Sequence, residues 1–254
     1  MRFGRAAALM AVLYMRTVVR RRGSWIVGLM ALAVVALFGW AVLKASDDAA
    51  RLEVYRGFLI IGPLGFLVQF CGLLYGVAAV SEDRDGGTAA YIFSRPLPRS
   101  AIFLGRFAAA AFSVALVTSL VHLAVALLAR FPGGFAVFLQ VEIPILAGAL
   151  CYTALFMLLS TVVRKPVIIG MLWLVVWELL VAQVPWRIKL LTVKYHLLSL
   201  ANGLVPGGAD AGRSGPAALF EVLEESPTDA GIVVSVLTVL AVALAWARYR
   251  RLEP

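Results

Sequence analysis

Long apolar runs alternate with short charged stretches along most of the chain. A helix that crosses the hydrocarbon core of a bilayer needs about 20 apolar residues. The windows Ser24–Leu43, Gly57–Ser81, Phe107–Ala129, Ile143–Val163 and Pro166–Trp186 meet that length, the last interrupted only by Glu178, and Ala230–Ala247 falls slightly short. The pattern predicts an all-α, polytopic membrane protein with six transmembrane helices in one domain spanning residues 1–254. Two polar segments stand out, at 82–106 between the second and third windows and at 187–229 before the last. The second contains "VPGGADAGRSGP", whose glycines and prolines mark a loop.

Residues 1–22 follow a different rule. On a helical wheel Arg2, Arg5, Arg16 and Arg20 share one face, with Phe3, Ala7, Met10, Tyr14 and Val18 opposite. That arrangement predicts an amphipathic helix in the membrane interface, apolar face down and arginines towards lipid phosphates. The alternative is a basic flank that only fixes topology. The segment is not a cleavable signal, because the apolar run after it is too long and ends in no cleavage-like site.

Composition supports the membrane reading. Of 254 residues 62% are hydrophobic and 15% charged, against about 45–50% and about 25% in soluble domains. The formal charge is +9, from 23 basic and 14 acidic residues. Because the basic residues flank apolar runs, they point to topology and anionic headgroups rather than nucleic acid. Fifteen of them fall at the N-terminus, in the 82–106 loop, at Arg164–Lys165 and in the tail, and eight fall on the other side. The richer side is expected to be cytoplasmic, with both termini inside. Cys71 and Cys151 lie within apolar runs and read as buried thiols, with no metal-ligand spacing around them.

A loop joining two antiparallel crossings needs only a few residues, yet 82–106 is far longer. Asp83, Arg84 and Asp85 cluster at the membrane exit, and Gly86–Gly87 breaks the incoming helix. Thr88 can cap a short helix over "AAYIF", which Pro96 and Pro98 then stop. Ser100 can cap the helix that leads through Arg106 into the third crossing. The product is a short helix held along the membrane between two breakers.

Asp83-Arg84-Asp85, Gly87-Thr88, Ser94-Arg95-Pro96-Leu97-Pro98-Arg99 and Leu104-Gly105-Arg106 resemble the cytoplasmic loop of type-2 ABC transporter permeases. Within that family the chain is most similar to permeases associated with multicopper-enzyme maturation, including the nitrous-oxide-reductase maturation permease. The resemblance covers the whole layout but is sequence-specific only in the loop. It implies a type-2 ABC exporter-like domain in a bacterial inner membrane, working as a homodimer with two copies of a separate ABC ATPase. The loop would supply a coupling helix, with Asp83, Arg84, Asp85, Gly87, Thr88, Arg95, Pro96 and Arg99 at or beside the ATPase. Gly86 departs from the family, where a basic residue is usual, as do Ala89–Ala90, where leucines are commoner. No Gly-x-x-x-x-Gly-Lys-Ser/Thr occurs, so ATP and Mg²⁺ are expected on the partner and no cofactor on this chain.

Three ionisable residues fall at membrane depth: His122, Glu142 and Glu178. Such groups are costly in lipid and suggest a substrate path. Each has a plainer reading: a vestibule-facing or protonated Glu178, a helix-end role for Glu142 beside Pro144, and a packed His122 with a backbone partner. A self-sufficient carrier or intramembrane enzyme built on the three is the rival function. An enzyme needs its groups within hydrogen-bond reach, and the apolar windows place these on different helices at different depths. No catalytic or metal residue is assigned. Gly72 and Gly76 form a small-xxx-small pair for close helix approach, within the chain or between copies. "WRIKLLTVKYHLLSL" is amphipathic enough to lie at the outer interface or to re-enter the bundle.

Overall fold

The structure, a computed structural model, describes residues 3–19, 22–85, 98–180, 190–204 and 226–251, and among these there is no strand. The helices are α1 (Phe3–Val19), α2 (Arg22–Lys44), α3 (Asp48–Ile61), α4 (Val68–Asp85), α5 (Arg99–Leu128), α6 (Phe135–Val162), α7 (Pro166–Trp173), α8 (Val193–Leu204) and α9 (Pro227–Tyr249). Two π-helical turns, Pro63–Leu67 and Leu174–Leu180, join α3 to α4 and extend α7. Among the described residues five helical segments are long and apolar enough to cross a membrane, and Pro166–Glu178 is a shorter apolar helix.

The bundle is built around α4, α5 and α6, with α1 and α2 against α5, and α8 and α9 against α6. Burial grades the crossings. Asp48–Ser81 and Phe135–Val162 bury 67% and 61% of their most apolar windows, whereas α2 and α9 bury only 17% and 22%. The last two therefore turn most of their side chains outward, as helices against lipid or a partner do.

The α4–α6 seam owes its closeness to two glycines. A methyl group at Gly72 would stand 2.8 Å from Tyr152 Cβ, and one at Gly76 would stand 2.8 Å from the Thr153 carbonyl oxygen. The small-xxx-small pair thus serves packing within the chain. Gly105 does the same for α1, since a methyl there would run into the Ala7 carbonyl oxygen.

Several boundaries differ from the sequence expectation. The second crossing begins at Asp48 rather than Gly57 and is broken at Gly62, where Pro63 cannot donate a helical hydrogen bond. Helix α6 starts at Phe135 rather than Ile143 and carries Pro144 in its interior. Helix α5 starts at Arg99, so the last third of the 82–106 segment is helical, as expected of the helix leading through Arg106. Its N-cap position is Pro98, with no side-chain cap, and not Ser100. In α1 the buried stripe is Ala6, Met10, Tyr14 and Val18. It packs on α5, and the Tyr14 hydroxyl donates to the Tyr75 carbonyl at 2.6 Å. The face predicted to lie in lipid is therefore largely turned to protein, while Leu9, Val12 and Leu13 remain exposed.

Candidate functional site

Two polar groupings interrupt the apolar bundle, both towards the membrane side opposite loop 82–106. The first joins three helices. His122, one and a half turns before the end of α5, is fully buried. Its Nδ1 lies 2.6 Å from Glu142 Oε1 on α6, and its Nε2 lies 2.6 Å from the Tyr55 hydroxyl on α3. Ser119, one turn before His122, donates to Glu142 Oε2 at 2.7 Å. Aromatic rings close the surroundings, with Phe138 stacked on the imidazole at 4.6 Å between centroids and Phe58 at 6.4 Å. Each polar atom of this chain therefore has a side-chain partner, which is what makes its burial tolerable.

The structure thus brings together two of the three intramembrane residues. His122 has side-chain partners rather than a backbone partner, and Glu142 lies inside α6 rather than at its cap. Tyr55 and Ser119 complete the group. Ser119 was legible, being three residues from His122 on the same helical face. Tyr55 was not, because it precedes the apolar window and is 67 positions from its partner.

Glu178 belongs to the second grouping. It lies in the π-helical turn Leu174–Leu180 and is fully buried. Its Oε1 accepts from the Val193 N–H at 3.2 Å and its Oε2 from the Lys194 N–H at 3.1 Å. Those amides are the first of α8, where helical N–H groups lack partners and the helix dipole favours an anion. The Thr192 hydroxyl accepts from the Tyr195 N–H at 3.3 Å and caps the same turn. Lys194 is itself buried. Burial lowers the pKa of its ammonium and the Glu178 carboxylate opposes that shift. Helix α8 packs against α6 and α9 through Leu197, Leu200 and Ala201. Among the described hydrogen bonds, none joins Glu178 to the His122–Glu142 pair.

The loop is entered from α4, whose last turn contains Asp83, Arg84 and Asp85, and left through α5. Gly87, Thr88, Arg95 and Pro96 lie outside the described residues, as do Arg2 and Arg20. Arg5 and Arg16 are exposed on α1. At the base of α5, Arg99 Nη1 donates to the Arg250 carbonyl at 3.0 Å, tying that helix to the end of α9. Arg106 is buried and donates from Nη1 to the Ala79 carbonyl of α4 at 3.2 Å. The two helices that flank the loop are thereby pinned to each other and to the C-terminal crossing.

Several helices long and apolar enough to cross a bilayer, joined by buried polar ties, define a multi-pass helical membrane protein. Residues 6–251 match the family described as ABC-2 family transporter protein. The chain belongs to that family. No curated protein matches it.

Proposed function

We propose that the chain is the membrane-spanning permease subunit of an ABC transporter, moving its substrate across a bacterial inner membrane on ATP hydrolysed by a separate ATPase docked on loop 82–106. The observation that carries this reading is family membership over nearly the whole chain. The fold supports it physically. Helices α4 and α5, which enter and leave the loop, are core helices pinned together by Arg106 and to α9 by Arg99. A push on the loop would therefore bear on the packed bundle, as a coupling element requires.

In this reading two ATPase copies serve a permease homodimer and hold ATP and Mg²⁺, and the arginine-rich side, with both termini, is cytoplasmic. Asp83, Arg84, Asp85, Gly87, Thr88, Arg95, Pro96 and Arg99 form or flank the contact. Arg2, Arg5, Arg16 and Arg20 meet lipid phosphates. The substrate route runs past the polar groups of the opposite side, where Glu178, Glu142 and His122 are the ionisable residues. The multicopper-maturation branch remains a likeness of loop sequence.

The test is to co-express the chain with candidate ABC ATPases from the same genome and to purify the complex. Arg95→Glu combined with Arg99→Glu is expected to leave membrane insertion intact and to uncouple ATP hydrolysis from transport. Unchanged complex formation and transport would refute the docking assignment.

A further inference from the structure

The Tyr55–His122–Glu142–Ser119 chain has a fixed count of protons. Ser119 donates to Glu142 Oε2, and a neutral imidazole offers one N–H and one lone pair. With Glu142 ionised, one pattern satisfies every atom. Nδ1–H donates to Glu142 Oε1, and Nε2 accepts from the Tyr55 hydroxyl, each at 2.6 Å. The cluster then carries one uncompensated negative charge among apolar and aromatic side chains, which is costly.

One further proton cancels that charge and breaks the pattern. Placed on Nε2, it makes an imidazolium whose two nitrogens both donate, so the Tyr55 oxygen must accept. Placed on Glu142 Oε1, it makes the carboxyl a donor to Nδ1. The ring then changes tautomer, and Nε2–H again points at the Tyr55 oxygen. In both of these states the Tyr55 hydroxyl hydrogen loses its acceptor and must turn elsewhere. A proton on Glu142 Oε2, by contrast, would turn only the Ser119 hydroxyl and leave the Tyr55–His122 bond as it was.

We propose that this chain is a proton-binding site, loaded from the membrane side opposite loop 82–106, and that loading reverses the Tyr55–His122 hydrogen bond linking α3 to α5. The entry point is Glu142, whose side chain keeps 15% of its exposure while that of His122 keeps none. Pro144, two residues on, lacks an N–H and leaves the Gln140 carbonyl without its helical donor. The recipient of the signal is separable from its own crossing. Helix α3 ends at Gly62 and the π-helical turn Pro63–Leu67 before α4 begins, the kind of break that marks hinges.

Few other charges face the chain. On α3, Asp48 and Arg51 pair with each other at 3.2 Å and Glu53 is exposed. Arg56 sits about 100° round that helix from Tyr55. Helix α2 carries only Arg22 and the exposed terminal Lys44, and α6 carries only Glu142. Helix α5 adds Arg99 and Arg106 at its opposite end, and Arg130 in the turn after it is exposed.

The experiment uses the full chain in lipid nanodiscs, with neither substrate nor ATPase, so its failure would leave the permease reading untouched. Infrared difference spectra between about pH 8 and about pH 5 avoid ordinary carboxylates, which titrate near 4. The expected result is a tyrosine band that changes on acidification and is lost in Tyr55→Phe. The same band is lost in Glu142→Gln, which keeps the shape but removes the negative charge that the added proton neutralises. Ser119→Ala, which leaves that charge in place, retains the band at a shifted pH. A band unaltered in Glu142→Gln, or absent from the unsubstituted protein, overturns the proposal.

Discussion

His122 Nδ1 and Glu142 Oε1 meet at 2.6 Å across the α5–α6 interface, 20 positions apart in the chain. The contact is buried on the histidine side and ends in a carboxylate that its own helix, α6, does not satisfy. Both carboxylate oxygens take their partners from α5, His122 and Ser119, so the contact specifies how α5 and α6 register, and through Tyr55 how α3 sits on both.

Removing one member of this group is expected to cost more than removing its contact alone. His122→Phe fills the same space but strands the Tyr55 hydroxyl and one Glu142 oxygen, at about 1–3 kcal/mol for each buried polar group left unpaired. Tyr55→Phe leaves only a ring nitrogen unpaired and should cost less. Thermal unfolding in one detergent ranks the two, with His122→Phe melting lower. Equal melting temperatures would mean that the polar chain does not hold the helices.

Glu178 is expected to govern the start of α8. Hydrogen bonds to a charged acceptor contribute about 1.5–3 kcal/mol, so Glu178→Ala should speed amide exchange at Val193 and Lys194 by roughly 10–100-fold. Glu178→Gln keeps one carbonyl oxygen and should show a smaller effect. Hydrogen–deuterium exchange over 193–204 makes the comparison. Unaltered protection in Glu178→Ala would refute the capping role.

The glycines of the α4–α6 seam should not tolerate a methyl group. Gly76→Ala places Cβ against the Thr153 carbonyl and Gly72→Ala places it against Tyr152, and overpacking of this kind costs about 1–3 kcal/mol. Gly28→Ala on α2 meets nothing within 4 Å and is the control. The seam variants should lower the melting temperature while the control leaves it unchanged or slightly raised.

Loop orientation is open to chemical labelling. A cysteine at Ser94 in intact cells is expected to resist a membrane-impermeant thiol reagent and to react once the inner face is opened. Cys71 and Cys151 are both buried and should contribute little background. Reaction from outside would place the loop on the wrong side for an ATPase.

The apolar windows, the basic asymmetry and the loop motif were all readable in order along the chain, because each is a local property. Hydrophobic length sets a crossing whatever its neighbours are, and proline and glycine interrupt helices wherever they stand. The coarse architecture and the family likeness followed from those properties alone. Element ends were less legible. Phe135–Gln140 continues α6 ahead of Glu142, and Asp48–Arg56 extends the second crossing, because helix continues into polar or mixed sequence when tertiary packing supports it.

Which polar residues meet is a different kind of information. Neither Tyr55 nor His122 carries a mark of the other, and Glu178 gives no sign that it will hold the amides of Val193 and Lys194. Such pairs depend on how helices rotate and cross, which the glycine contacts at Tyr152, Thr153 and Ala7 settle in three dimensions. The sequence by itself determined that this chain is a helical membrane bundle with one elaborate loop. Only the tertiary structure decided that its buried ionisable groups divide into a three-helix chain and a helix cap, because an unpaired polar group in an apolar interior must find its partner across helices.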